Sequence, residues 1–243
     1  MFQPVAPILS QIMPEKWQDK IEKLPNCETL NQGFAYKNQN QKQLRFIQQD
    51  ENLPYQNLGY EQRIFEHGLI ATRKNNWHDF FNALVWKTFP RTKIALNAIH
   101  YHEIHQQVST LRSKKRDLLT LFDECGVIII AKNSILDLVQ NHRWHELFIK
   151  NKQAWLAGDI KIITFGHAMY EKYLTPYIGM TAKALLLNVQ DTPDNLDIFL
   201  AKKLINNELL NDKKELSPLP VLGIPNWHKN QDAQFYANQN YFR

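Results

Sequence analysis

Side chains suited to acid–base chemistry are concentrated in the middle of this chain of 243 residues. They are His78, Asp123, Glu124 and His167. An imidazole and a carboxylate that reach one substrate can act as general base and general acid. We interpret these four residues as candidate catalytic residues and predict that His78 and His167 approach one pocket, although no spacing in the chain matches a motif of known mechanism.

The strongest single candidate is His167, because Gly166 and His167 lie between a predicted strand and a predicted helix. Open α/β sheets bind ligands at the carboxyl ends of their strands. Glu171 follows four residues later, where it would share a helical face with His167 and could orient the imidazole. The alternative is a histidine that packs under a loop and has no chemical role.

Residues suited to substrate binding precede this region. His78, Asn82 and Trp86 are four residues apart, so on a helix they share one face. The predicted substrate-binding residues are Trp77, Asn82, Trp86, His100 and Arg116. In the alternative, His78 and Asp79 only adjust the start of a helix, and Arg116 only pairs with Asp123.

The histidine cluster at His100, His102 and His105 invites a metal interpretation, but it lacks the His-Glu-x-x-His spacing of zinc enzymes. Distant residues such as His78, His100, Asp123 and His167 remain alternative ligands. We predict no metal site and a protein that folds without a transition metal, while the sequence leaves any cofactor unknown.

Composition narrows the class of protein and its partners. Hydrophobic residues make up 44% and charged residues 22% of the chain, as in globular proteins. The net charge of +5 is compatible with an anionic small molecule. A basic cluster at 112–116 could contact phosphates, but no nucleic-acid-binding motif accompanies it. Two cysteines, no signal peptide and no apolar run long enough to span a membrane predict a cytoplasmic protein.

Helices and short apolar strands alternate in the predicted fold. Asn75 or Asn76 can cap a predicted helix over 77–89, and Pro90 starts another that reaches about Val108. A helix is predicted to start at Ser134, and the same period continues into a second helix that includes Trp144 and Trp155. Further helices are predicted over 166–174 and from Thr192 to about Leu210. Strands are predicted over 69–72, 127–131, 160–165 and 182–189, with 127–131 and 160–165 central in one sheet. The segment 113–125 fits a helix ending before Gly126 or a strand with a hairpin turn, and we favour the helix.

These elements predict an α/β or α+β fold that is helix-dominated, with a small central sheet of three or four short strands. Residues 1–60 are rich in Gln, Asn and Pro and are interpreted as an N-terminal arm packed on the body. Residues 60–243 would form one globular domain that includes a Pro-rich C-terminal tail.

Several strings of the chain resemble the proteobacterial family called domain of unknown function 3025. They lie at 76–86, 89–93, 116–124, 165–168 and 219–225. The resemblance covers roughly residues 60–243. It implies a bacterial intracellular protein and implies no reaction.

Together, the residues predict a small hydrolase or transferase with a His/carboxylate pocket for an anionic substrate. The alternative is a non-enzymatic module that binds protein or nucleic acid, and a purely structural subunit is a third possibility. The sequence therefore leaves open whether the protein is an enzyme. The alternatives differ in geometry, since an enzyme requires the candidate residues to converge on one concave site.

Overall fold

The computed structural model describes residues 7–13, 23–106 and 111–243. These residues form two compact units. One, the helical unit, contains the described residues 23–106, 111–120 and 195–211. The other, the sheet unit, contains 7–13, 121–194 and 212–243. The predicted division into an arm of residues 1–60 and one domain stays a prediction, since residues 1–6 and 14–22 lie outside the described part.

Helices and short strands alternate along the described chain. The helices are α1 (Cys27–Asn31), α2 (Tyr60–His67), α3 (Trp77–Thr88), α4 (Pro90–Gln106), α5 (Lys114–Cys125), α6 (Asn133–Gln140), α7 (Lys152–Leu156), α8 (His167–Lys172), α9 (Leu196–Ile205) and α10 (Ala233–Tyr236). The strands are β1 (Arg45–Gln48), β2 (Leu69–Thr72), β3 (Gly126–Ala131), β4 (Lys161–Thr164), β5 (Thr181–Asn188) and β6 (Leu216–Pro220). A π-helical turn spans His145–Lys150. The predicted helix-dominated α+β class is confirmed.

In the helical unit, the helix starts follow local chemistry. The side chain of Asn76, one of the two caps that the sequence predicts, accepts a hydrogen bond from the Asp79 amide and caps α3. Pro90 opens α4, where its missing N–H costs nothing. Asp197, in the first turn of α9, accepts from the Arg91 and Thr92 amides at 3.0 and 2.8 Å. This carboxylate therefore fixes the start of α4 beside the start of α9.

The sheet unit is built on four strands in the order β4-β3-β5-β6. β3 is parallel to β5 and antiparallel to β4. All six residues of β3 are buried, which confirms the prediction of a central strand at 127–131. β4 belongs to the same sheet but lies at its edge, so its predicted central position is wrong. The exposed side chain of Lys161 suits that edge.

The other edge strand, β6, carries Pro218 and Pro220. Proline has no amide to donate and is tolerated only at such an edge, so this part of the Pro-rich tail forms an edge strand that was not predicted from the sequence. The predicted helix over 192–210 is shorter than expected. It begins at Leu196, because the side chain of Asn195 caps it by accepting from the Ile198 amide at 3.0 Å.

The two helices predicted between Ser134 and Trp155 are three elements in the structure, because a π-helical turn lies between α6 and α7. α6 begins at Asn133, and Lys132 at its cap position makes no side-chain capping bond. The predicted end, at about Val108, of the helix that starts at Pro90 lies outside the described residues.

Within the described part of the chain, no helix combines the length and apolar character needed to cross a membrane.

Candidate functional site

Two predicted catalytic carboxylates lie where α5 ends and β3 begins. Asp123 and Glu124 occupy the last turn of α5, and Phe122 in the same turn is 1% exposed and stacks on Phe165 at 4.7 Å between ring centroids. A Cβ on Gly126 would lie 2.3 Å from the Phe122 carbonyl oxygen. Glycine at this position therefore allows β3 to follow α5 directly, with Asp123 and Glu124 in the last helical turn.

The turn between β4 and α8 presses against this same junction. The Phe165 and Gly166 amides both donate to the Gly126 carbonyl oxygen, at 3.0 and 2.7 Å. A Cβ on Gly166 would lie 2.4 Å from the Gly126 nitrogen and 2.5 Å from the Glu124 carbonyl oxygen. Only glycine fits, and the close approach places the next residue, His167, beside the end of α5.

The imidazole of His167 is buried, with a carboxylate near each ring nitrogen. His167 is 4% exposed. Its Nε2 lies 3.4 Å from Glu124 Oε2, and its Nδ1 lies 3.9 Å from Asp123 Oδ2. The Glu124 side chain is 37% exposed and that of Asp123 is 20% exposed. Of the three groups, Glu124 is therefore the most accessible to a ligand from solvent.

This geometry is suited to proton transfer. The 3.4 Å separation of Nε2 and Oε2 is slightly longer than an ideal hydrogen bond, and catalytic hydrogen bonds are often long before substrate binds. Asp123, at 3.9 Å, acts on Nδ1 through its charge. The cluster can thus hold and exchange a proton next to solvent.

A buried tyrosine holds the α8 segment against the sheet. The Tyr170 hydroxyl donates to the Thr164 carbonyl oxygen at 2.6 Å. Burial raises the pKa of Tyr170 far above its ordinary value, so the hydroxyl keeps its proton and remains a donor. Because Thr164 ends β4 and Tyr170 is three residues beyond His167, this bond fixes the helix that carries the imidazole.

Sequence analysis missed a lysine–thiol contact in the same unit. Lys172 Nζ lies 3.5 Å from Cys125 Sγ. Cys125 directly follows Glu124, and Lys172 ends the helix that His167 begins. This contact brings a cation next to the residue that follows the carboxylate pair. Neither residue belongs to a motif, so only the sheet pairing could reveal their proximity.

Two atoms of this cluster could serve as metal ligands. With metal–ligand bonds of about 2.0–2.1 Å, neighbouring ligands of a tetrahedral zinc ion lie about 3.3 Å apart, and Nε2 of His167 and Oε2 of Glu124 are separated by 3.4 Å. Asp123 lies at the other ring nitrogen and does not face the same point. The pair therefore supplies two ligands of the three or four that such an ion takes.

His78, the second predicted catalytic histidine, lies half-buried in the first turn of α3 in the helical unit. Its predicted approach to His167 stays a prediction. Asp79 beside it accepts from the Arg73 backbone amide and guanidinium at 2.7–2.9 Å. Burial acts to raise the pKa of Asp79, but these bonds and the charge of Arg73 outweigh it and lower the pKa. Asp79 thus stabilises the start of α3.

Asn82 and Trp86 surround a buried lysine that sequence analysis did not single out. Lys93 is 4% exposed. Its Nζ donates to Asn82 Oδ1 at 3.0 Å and lies 5.2 Å from the centre of the Trp86 ring. Asn82 Nδ2 in turn donates to the Tyr60 hydroxyl at 2.9 Å. Amide, ring face and ammonium stabilise one another here. Other polar residues share the helical face of this lysine, so no sequence signal set it apart.

The remaining predicted binding residues lie on three helices. Trp77 stacks on Phe81 at 5.6 Å in α3. His100 is buried in α4, and Arg116 is half-buried in α5. Their predicted role in substrate binding stays a prediction.

The fold and the site together define the class of protein, which is an α+β protein with a buried histidine between two carboxylates. The chain belongs to the family described as "protein of unknown function (DUF3025)", whose family model matches residues 44–243. This confirms the resemblance drawn from the sequence and extends it toward the N-terminus. No curated protein and no solved structure is significantly similar to the chain.

Proposed function

We propose that the protein is a hydrolase of anionic esters and that Asp123, Glu124 and His167 perform its acid–base chemistry. The observation that carries this proposal is a nearly inaccessible imidazole with one carboxylate near each ring nitrogen, at 3.4 and 3.9 Å. Titratable groups that face one another at the edge of solvent are typical of catalytic sites.

The proposed reaction uses the two ring nitrogens differently. His167 Nε2 removes a proton from the attacking water, and the negative charge of Asp123 near Nδ1 stabilises the imidazolium that forms. Protonated Glu124 donates its proton to the leaving oxygen as the ester bond breaks. A proton then passes from Nε2 to Oε2 across the 3.4 Å that separates them, which restores both groups. An acceptor hydroxyl in place of water would make the same chemistry a group transfer.

An anionic substrate is supported by the nearby cation and by the overall charge. Lys172 Nζ lies against Cys125, the neighbour of Glu124, and the chain carries a net charge of +5. On sequence grounds we keep Arg116 as a further group for the anion. On the same grounds we keep His78 as an alternative base and the set Trp77, Asn82, Trp86 and His100 as substrate contacts.

Chromogenic esters test this proposal directly. We expect the purified full chain to hydrolyse at least one of p-nitrophenyl phosphate, bis(p-nitrophenyl) phosphate and p-nitrophenyl hemisuccinate. His167→Asn should lower kcat by about 10²–10⁴-fold, the usual contribution of a general base. His145→Asn, an exposed histidine of the same unit, serves as the control. No turnover of any of the three esters, or equal turnover by His167→Asn, would contradict the proposal.

A second candidate function, metal-assisted hydrolysis, is favoured by the 3.4 Å separation of Nε2 and Oε2, which suits two ligands of one ion. Dialysis of the protein against EDTA distinguishes hydrolysis by acid–base chemistry alone from metal-assisted hydrolysis. Turnover that survives dialysis supports acid–base chemistry alone. Turnover that is lost and then restored by added Zn²⁺ or Mn²⁺ supports the metal-assisted reaction.

A further inference from the structure

The helical unit carries a shallow cavity, open to solvent, of about 430 Å³ between α4 and α9. Its walls are apolar. Ile94 and Ala95 of α4 face Ile198, Ala201 and Ile205 of α9. On α9, Ala201 lies between the larger Ile198 and Ile205, so its small side chain leaves room for a ligand.

The apolar wall on α9 forms a continuous stripe. Ile198, Ala201 and Ile205 follow one another at spacings of three and four residues and therefore share one helical face. Ile198 is 46% exposed and Ile205 is 48% exposed. Covering such a stripe with an apolar chain removes it from water, which is favourable.

The rim of the same cavity is cationic. Lys37, Arg91 and Lys202 line it, and no Asp or Glu does so within the described chain. The neighbouring carboxylate, Asp197, accepts from the Arg91 and Thr92 amides and from the Thr92 hydroxyl. Its charge is thus engaged by the start of α4, and the rim presents positive charge to a ligand.

We propose that this cavity binds an amphiphilic monocarboxylate of the medium-chain fatty-acid type. The acyl chain lies along the α9 stripe, which is about 10 Å long for seven residues at 1.5 Å each. The carboxylate is bound by the cations of the rim. This proposal concerns the helical unit and is independent of the proposed hydrolase.

Three probes separate the contributions of charge and chain in calorimetric titrations of the full chain. Decanoate has both features, decanol lacks the charge, and butyrate lacks most of the chain. We expect decanoate to bind with one site per chain and at least about tenfold more tightly than either other probe, because each lacks one of the two favourable contacts. No decanoate binding, or binding of decanol as tight as that of decanoate, would overturn the proposal.

Two variants locate the site. Lys202→Gln should weaken decanoate binding by about two- to fivefold, as expected for one partly exposed charge pair. Ala201→Leu fills the floor of the cavity and should abolish binding. Lys214→Gln, an exposed lysine of the sheet unit, is the matched control, and circular dichroism of each variant checks folding. Unchanged affinity in folded Lys202→Gln and Ala201→Leu would place the ligand elsewhere and overturn the proposal.

Discussion

At the residue scale, His167, Asp123 and Glu124 form a coupled set rather than three separate groups. The imidazole is 4% exposed, and its two ring nitrogens lie 3.4 and 3.9 Å from the two carboxylates. The set can therefore pass one proton between its members, and this is the property on which the proposed hydrolysis depends.

A pH-dependent stability is expected at Asp79. Its pKa is lowered in the folded protein by the bonds from Arg73, although burial opposes this. The stabilisation is therefore present above the unfolded value of about 3.9 and is lost as pH falls through the folded pKa. Asp79→Asn should lower the free energy of unfolding by about 1–2 kcal/mol at pH 7, with a smaller difference below about pH 4.

Urea unfolding at several pH values measures this effect. Asp159→Asn, at an exposed position in the sheet unit, is the control. A loss in Asp79→Asn that is independent of pH would mean that packing, and not the carboxylate charge, stabilises the start of α3.

Sequence pattern identifies candidate residues at this scale because titratable side chains at element ends are recognisable in a linear chain. Asp123, Glu124 and His167 are such residues. Lys93 and the Lys172–Cys125 contact were missed for a physical reason. A lysine is normally solvated, and its burial beside Asn82 or its approach to a thiol depends on contacts that follow only from the tertiary fold.

At the element scale, two glycines set the geometry of the candidate site. Gly126 and Gly166 bring the end of α5 and the start of α8 into backbone contact. Gly166→Ala should lower the free energy of unfolding by about 1–3 kcal/mol, because its Cβ would overlap backbone atoms. Any ester turnover should fall as well, because His167 is displaced.

Gly59→Ala is the matched control for this substitution. Its Cβ would meet only Gln62 Oε1 at 3.4 Å, so the cost should remain below about 1 kcal/mol. Thermal unfolding and ester turnover measured on both variants complete the test. A Gly166→Ala protein with wild-type stability and turnover would show that the contact does not position His167.

The helices and strands themselves are predicted well by local features of the sequence. The Asn76 cap, Pro90 and the apolar run at 127–131 predict α3, α4 and β3 at nearly their observed bounds. The edge position of β4 could not be predicted, because strand order depends on long-range pairing. The late start of α9 reflects a choice of Asn195 over Thr192 as the cap. Only this second error concerns competition between similar local patterns.

At the scale of the whole molecule, each of the two units has an apolar core. β3 is entirely buried between its neighbours, and α3 buries most of its apolar face. We therefore expect EDTA to shift Tm by less than about 2 °C, since a structural metal would contribute folding free energy directly. A stoichiometric metal whose removal greatly lowers Tm would show that this prediction is wrong.

A double-mutant cycle measures most directly whether His167 and Glu124 act as one proton-transfer unit. It compares kcat/KM on the fastest ester for wild type, His167→Asn, Glu124→Gln and the double variant. Because one proton passes between Nε2 and Oε2, we expect the double variant to be about as slow as the slower single variant. If the two losses multiply, the residues act independently, and the shared-proton mechanism is contradicted.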